Sequence, residues 1–205
     1  MTSGISQNEV VYRAIKKDLL EGRYMPGQRL ESRVLSERHA SSNTPVRMAL
    51  SRLVADRIVE MHPNDGFHVP MVTEKSVSDL YIASKRAVAS CLELLLETTG
   101  RSGSTTSPAL PAPPERAIAA LFAAIARFAD NLELSQDVDS HNDRLMLLRR
   151  LDAKFDATMA SDVAAMTEIW ENGNLAAFKA RLDGFYDKRF ANISEVVKLA
   201  YLPRT

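Results

Sequence analysis

Residues 35–53 read LSERHASSNTPVRMALSRL, and the fold follows from how this stretch divides. Val46, Ala49, Leu50, Leu53 and Val54 recur three and four apart, which predicts one buried face of a helix. Thr44 is the expected cap of that helix. Pro45 then takes the first helical position, where a missing N–H costs nothing. Ahead of them Ala40-Ser41-Ser42-Asn43 forms a short polar connector. Before the connector, residues 31–39 fit a second short helix with Val34 and Leu35 turned inward. Two helices around so short a turn make a helix-turn-helix.

Reading outward supports this. Upstream, Val10, Val11, Ala14, Ile15, Leu19 and Leu20 give a first helix an apolar stripe from a cap at Gln7 or Asn8 to about residue 21. Gly22 stops it, and Met25-Pro26-Gly27 turns the chain. Downstream, residues 58–62 and 67–70 are short runs suited to strands, joined by Pro63-Asn64-Asp65-Gly66. That spacing predicts a β-hairpin. Three helices followed by a hairpin is the order of a winged helix-turn-helix.

In such a head, the N-terminal residues of the last helix face base edges. Its open N–H groups also attract a phosphate. Arg47, on the outer face, suits a bidentate contact with guanine or a phosphate. Arg33 is positioned to meet the nucleic-acid backbone. Gly66 at the hairpin tip allows close approach. A solvated helix face is the blander account of these arginines, and it is the preferred one for Arg38, Arg52 and Arg57.

The chain's overall charge is not what points to DNA. The 205 residues carry no net charge, with a pI near 6.9. The first 72 hold ten basic and eight acidic residues, only a mild excess, so placement decides. Aromatics are 6% of the chain, which leaves the core to Leu, Ile, Val, Ala and Met. The most apolar stretch, 117–129, is too short for a membrane span and carries Arg127. The N-terminus does not read as a signal peptide. With one cysteine, Cys91, no intramolecular disulfide can form. These features suit a cytoplasmic protein away from membranes.

The segments GRYMPGQRL (22–30), LSERHASSNTPVRMALSRL (35–53) and IVEMHPNDGFHV (58–69) strongly resemble the GntR family of bacterial regulators. The resemblance covers residues 10–72. It is most specific at Thr44-Pro45-Val46-Arg47 followed by Ala49-Leu50, with Pro26-Gly27 and Pro63…Gly66 in register. It implies that the head binds a short palindromic operator in double-stranded DNA as a homodimer. The matching positions are Arg33, Ser42, Asn43, Thr44, Pro45, Arg47 and Gly66. The chain departs from the family pattern at four places. Asn43 stands where Arg is usual, Met48 for Glu, Ala40 for Gly and His39 for Leu. Asn can read adenine, so the exchange at 43 implies a changed base preference.

From residue 73 to 205 the pattern is helical throughout. A long helix spans 74–99, with Val77, Leu80, Tyr81, Val88, Cys91, Leu92 and Leu95 on one side. A Gly/Ser/Thr/Pro-rich stretch at 100–114 reads as a mobile loop. Helices then cover 115–134, 139 to about 170 as one helix or two, and 175–199, broken at Asn172-Gly173-Asn174. An all-helical domain behind this head resembles the FadR subgroup, which implies dimerisation and small-molecule sensing. Many members hold a metal through one Asp and three His. Here Asp152 matches, but Asp156 replaces the first His, and the later ligand positions fall near Val163 and Phe185. No metal and no cofactor are expected. Asp152 and Asp156 read as an exposed acidic pair, and Phe155 and Trp170 as core.

The expected fold is therefore mainly α, with domains at 1–72 and 73–205. The expected function is a DNA-binding transcription regulator, a repressor whose second domain answers to a small-molecule effector. The alternative is an effector-independent regulator whose second domain serves dimerisation or a protein partner. The chain is not expected to be an enzyme: no phosphate loop, nucleophile elbow or metal motif is present.

Overall fold

The computed structural model of the chain describes residues 6–99 and 113–202. The head contains α1 (Gln7–Leu20), α2 (Ser32–Arg38), α3 (Asn43–Ala55), β1 (Glu60–His62) and β2 (Gly66–His68). Val11, Ile15 and Leu19 of α1, Leu35 of α2, and Val46, Ala49, Leu50 and Leu53 of α3 close on Tyr24, Leu30, Ile58 and Val59. Each such side chain taken out of water contributes about 1.5–3 kcal/mol, which lets a domain this small stand on one core.

The strands pair antiparallel, with Glu60 opposite His68, Met61 opposite Phe67 and His62 opposite Gly66. They are shorter than the sequence suggests, for a local reason. The Ile58 and Val59 N–H groups donate back to the Leu53 carbonyl at 2.9 and 3.2 Å, finishing α3 instead of starting a strand. A third extended piece was not anticipated. The Leu30 N–H donates to the Phe67 carbonyl at 2.8 Å and the Gly27 N–H to the Val69 carbonyl at 2.9 Å. The turn at Pro26-Gly27 thus delivers backbone to the edge of the hairpin.

Helix boundaries in the head differ from expectation in small, explicable ways. Ser6 caps α1, its Oγ accepting from the Glu9 N–H at 3.3 Å. Ser42 holds the cap position of α3, with Asn43 and Thr44 inside the helix and Pro45 in its first turn. Val34 faces outward, 53% exposed, because α2 is only two turns long and buries Leu35 alone.

The second unit contains α4 (Glu74–Thr99), α5 (Pro114–Phe128), α6 (Leu132–Asp152), α7 (Met159–Glu171), α8 (Leu175–Ala191) and α9 (Ile193–Ala200). The seven α4 residues expected on its inner side are all buried. Two expected long helices are each divided. Residues 115–134 break after Phe128, where Asp130 adopts a left-handed φ of 49° and Asn131 caps α6 by accepting from the Leu134 N–H at 3.1 Å. Residues 175–199 break at Asn192, between α8 and α9. Neither break carries Gly or Pro. Most of the loop expected over 100–114 lies outside the described residues, and Pro114 already belongs to the first turn of α5.

By its internal packing the chain divides into Met1–Val72 with Ala200–Thr205, and Thr73–Leu199. Tyr201 explains the reassignment of the chain's end. Its hydroxyl donates to the Val72 carbonyl at 3.0 Å and accepts from the Val72 N–H at 3.2 Å. No helix among the described residues is long and apolar enough to cross a membrane.

Candidate nucleic-acid interface

The face of α3 opposite its buried residues is set by the same helical period. Val46, Ala49, Leu50 and Leu53 point inward, so Thr44, Arg47, Met48 and Ser51 point out. These four line a shallow, open depression. Ser42 makes no side-chain cap bond, which leaves the first N–H groups of α3 open to an acceptor from outside. Helix N-termini favour anions for that reason. Arg47 makes no hydrogen bond or ion pair among the described residues. Its guanidinium is therefore available at the helix end where a nucleic acid would meet it.

The other expected residues sort by their surroundings. Ser42, Asn43 and Thr44 stand exposed beside Arg47 at the start of α3. Asn43 contacts the Ser36 hydroxyl at 2.9 Å, back across the turn. Reading adenine with both amide atoms requires that contact to open. Arg33 is highly exposed on α2 and pairs with Glu37 at 3.2 Å, one helical turn away. Such a surface pair is worth at most about 1 kcal/mol, so a phosphate can displace it. Gly66 has φ +88° with open space where a side chain would stand, so the backbone, not crowding, calls for glycine there. Pro45 is the exception. It is buried, so it shapes the start of α3 and cannot touch a ligand.

Met48 and Ser51 were missed, although the helical period that revealed the buried face also marks them. Two of the three arginines set aside, Arg52 and Arg38, have structural work. Arg52 donates to Glu9 Oε2 at 2.7 Å and lies 3.7 Å from the centre of the Tyr12 ring, fastening α3 to α1. Arg38 donates to the Tyr24 hydroxyl at 3.1 Å.

Residues 7–69 match the model of the bacterial regulatory proteins of the gntR family. This head is a GntR-family domain. Over 89 residues the chain is 32% identical to the HTH-type transcriptional repressor GlaR of Escherichia coli K12, covering 43% of this chain and 40% of GlaR. It is 35% identical over 83 residues to the HTH-type transcriptional regulator BphR of Paraburkholderia xenovorans LB400, covering 40% of this chain and 33% of BphR. The match thus spans two fifths or less of these relatives. The solved structure of E. coli McbR/YncC aligns over 94% of this chain and 99% of its own length, with a TM-score of 0.65 and 19% identity. That likeness extends the shared fold, a winged helix-turn-helix plus helical unit, beyond the GntR head.

The helical unit treats its acidic residues differently from expectation. Asp152 is 0% exposed, not part of an exposed pair. Its Oδ2 accepts from Arg189 Nε at 2.7 Å and its Oδ1 from Asn192 Nδ2 at 2.8 Å. Asp156 accepts from Arg189 Nη2. Asp162, also buried, takes Arg181 Nη2 at 2.6 Å and Lys188 Nζ at 2.7 Å. Burial pushes the Asp152 carboxyl upward, against the pull of Asn192 and Arg189. The residues do not fit a metal. The Arg189 guanidinium takes one oxygen of Asp152 and one of Asp156, Asn192 and Thr158 take the others, and Val163 and Phe185 are apolar and buried. Among the described residues no three His, Cys, Asp or Glu side chains are grouped to hold an ion. Trp170 is core as expected, whereas Phe155 is 41% exposed because the chain turns between α6 and α7 there.

Proposed function

We propose that the chain is a transcription regulator of the FadR-like subgroup. In this reading it is a repressor that acts in the cytoplasm as a homodimer on a short palindromic operator. The observation that carries this is Arg47. It is an unpaired guanidinium beside exposed Thr44 and Asn43 at the uncapped start of α3, in a GntR-family head. Ser42 and the α3 N–H groups bind a phosphate, Arg33 a second, and Gly66 lets the hairpin approach the duplex. Arg47 and Asn43 read bases. The name of GlaR, a repressor, supports that sign of regulation. Two-fold operators call for two-fold proteins, which makes dimerisation the task of the helical unit. Recognition and release, not catalysis, account for the residues present.

Whether the helical unit also senses an effector divides two readings. The occupation of Asp152 and Asp156 by Arg189 favours the effector-independent one, since it closes the metal route to a ligand.

The test is selection from random duplexes at two salt concentrations, with sequencing of the bound fraction. The expected result is an inverted repeat, with log affinity falling by about 0.9 per log salt for each phosphate contacted. Arg47→Ala is expected to weaken the best site by about 1–3 kcal/mol and relax one base position. Asn43→Arg is expected to change the selected motif. Arg33→Ala is expected to lower the salt slope by about one without changing the motif. Absence of any enriched motif, or an unchanged motif with Arg47→Ala, counts against the reading.

A further inference from the structure

On the outer face of α3, Thr44 and Ser51 carry hydroxyls and Arg47 a charge, but Met48 between them is apolar. Val46, Leu50 and Leu53 of the same helix are buried, whereas Met48 is 54% exposed. Its place on that face is set by spacing. It stands four residues after Thr44 and three before Ser51, so the three side chains follow one another along the helix. With Arg47 they line one open depression. The Met48 sulfur accepts a weak hydrogen bond from Asn8 Nδ2 of α1 at 3.9 Å, a surface contact that leaves the side chain uncovered. The core of the head closes without Met48.

A lone exposed methionine is ordinary on a protein surface. The neighbours make this one informative. Hydroxyls and a guanidinium suit phosphate oxygens and the donors and acceptors of base edges. A thioether suits none of these. The major groove does offer it one partner, the C5 methyl of thymine. Methionine is flexible and polarisable, so it packs on such a group with little demand on geometry. We propose that Met48 is a specificity-determining residue that reads thymine, its side chain packing on the C5 methyl within the half-site that Arg47 contacts. This rests on the DNA-binding reading above and adds a base preference to it. The contact buries apolar surface and neutralises no phosphate. It therefore sharpens sequence preference without steepening the dependence on salt.

The experiment takes the best duplex from the random selection and replaces its thymines one at a time by deoxyuridine. That exchange keeps the base pair and removes only the methyl. At one thymine in each half-site the parent is expected to bind about fourfold more weakly, the worth of one methyl taken out of water. Met48→Gln keeps the length of the side chain and is expected to bind the thymine and deoxyuridine duplexes equally, with the parent's salt slope. Met48→Leu keeps the apolar contact and is expected to keep the preference for thymine. Residue 48 lies outside the core, so both variants are expected to melt with the parent in circular dichroism. A methyl that acts by shaping the duplex would matter equally to the parent and to Met48→Gln. An undiminished loss in Met48→Gln therefore overturns the proposal, and so does an operator in which no thymine methyl matters. Both outcomes leave the DNA-binding reading standing. Absence of any enriched motif removes that reading and this one together.

Discussion

Arg189 and Glu9 show how differently the same chemistry behaves in the two units. Arg189 is 1% exposed, and its partner Asp152 is fully buried. Removing Arg189 leaves the Asp152 carboxylate in the core with Asn192 alone, at a cost of about 3–5 kcal/mol. Arg189→Met is therefore expected to lower unfolding free energy by about that amount in denaturant titration, and Asp152→Ala by less, because Arg189 keeps Asp156. Glu9 lies near the surface, and its hydrogen bond from Arg52, with a second from Arg13, holds its carboxyl below the ordinary 4.5. A depressed carboxyl stabilises the fold above its unfolded value and loses that contribution as pH falls through the folded one. In carbon NMR, Glu9 is expected to titrate below 4.5, and Arg52→Ala is expected to bring it back toward that value. No return would mean that Arg52 does not set it. Neither pairing could be read from the sequence. Arg189 and Asp152 stand 37 positions apart and Glu9 and Arg52 stand 43 apart, so no local pattern joins them.

At the scale of elements, α3 was the most legible part of the chain and the helix ends were the least. The buried face of α3 follows from a period of 3.6, and the exposed set at 44, 47, 48 and 51 follows by subtraction. Ends are governed by single residues. Gly22 and Gly173 mark stops in plain view, but α2, α3 and α5 are followed by Ala40, Arg57 and Asp130, all in the left-handed region. Each tolerates there a conformation that costs an L residue about 1 kcal/mol or more. The family's usual Gly at position 40 has its physical reason here, since Ala40 has φ 46° directly after α2. Ala40→Gly is expected to stabilise the head by about 1 kcal/mol, read as a higher denaturant midpoint. An unchanged or lower midpoint would mean that the greater freedom of glycine in the unfolded chain cancels the relief.

At the scale of the molecule, the division near residue 72 could be anticipated from the change of pattern, hairpin before it and helices after it. The return of Tyr201 to Val72 could not, because it depends on where the chain ends up in space. Nor could the burial of Arg149, which reads in the sequence as one more arginine in an Arg-Arg pair on a helix.

The sole tryptophan and the sole cysteine, Trp170 and Cys91, both lie buried in the helical unit. Burial pushes the Cys91 thiol up to about 11, so in the native state it is shut off from water and from the thiolate form alike. A disulfide reagent is expected to leave the folded protein unlabelled and to react in step with the red shift of Trp170 emission as denaturant rises; early labelling would expose a local opening of α4. The head carries no tryptophan and no thiol. Tryptophan emission and thiol chemistry therefore watch one half of the molecule only. A head that melts by itself is silent to both, and it becomes visible to a probe of backbone helicity such as circular dichroism or to its own buried tyrosines, Tyr12 and Tyr24.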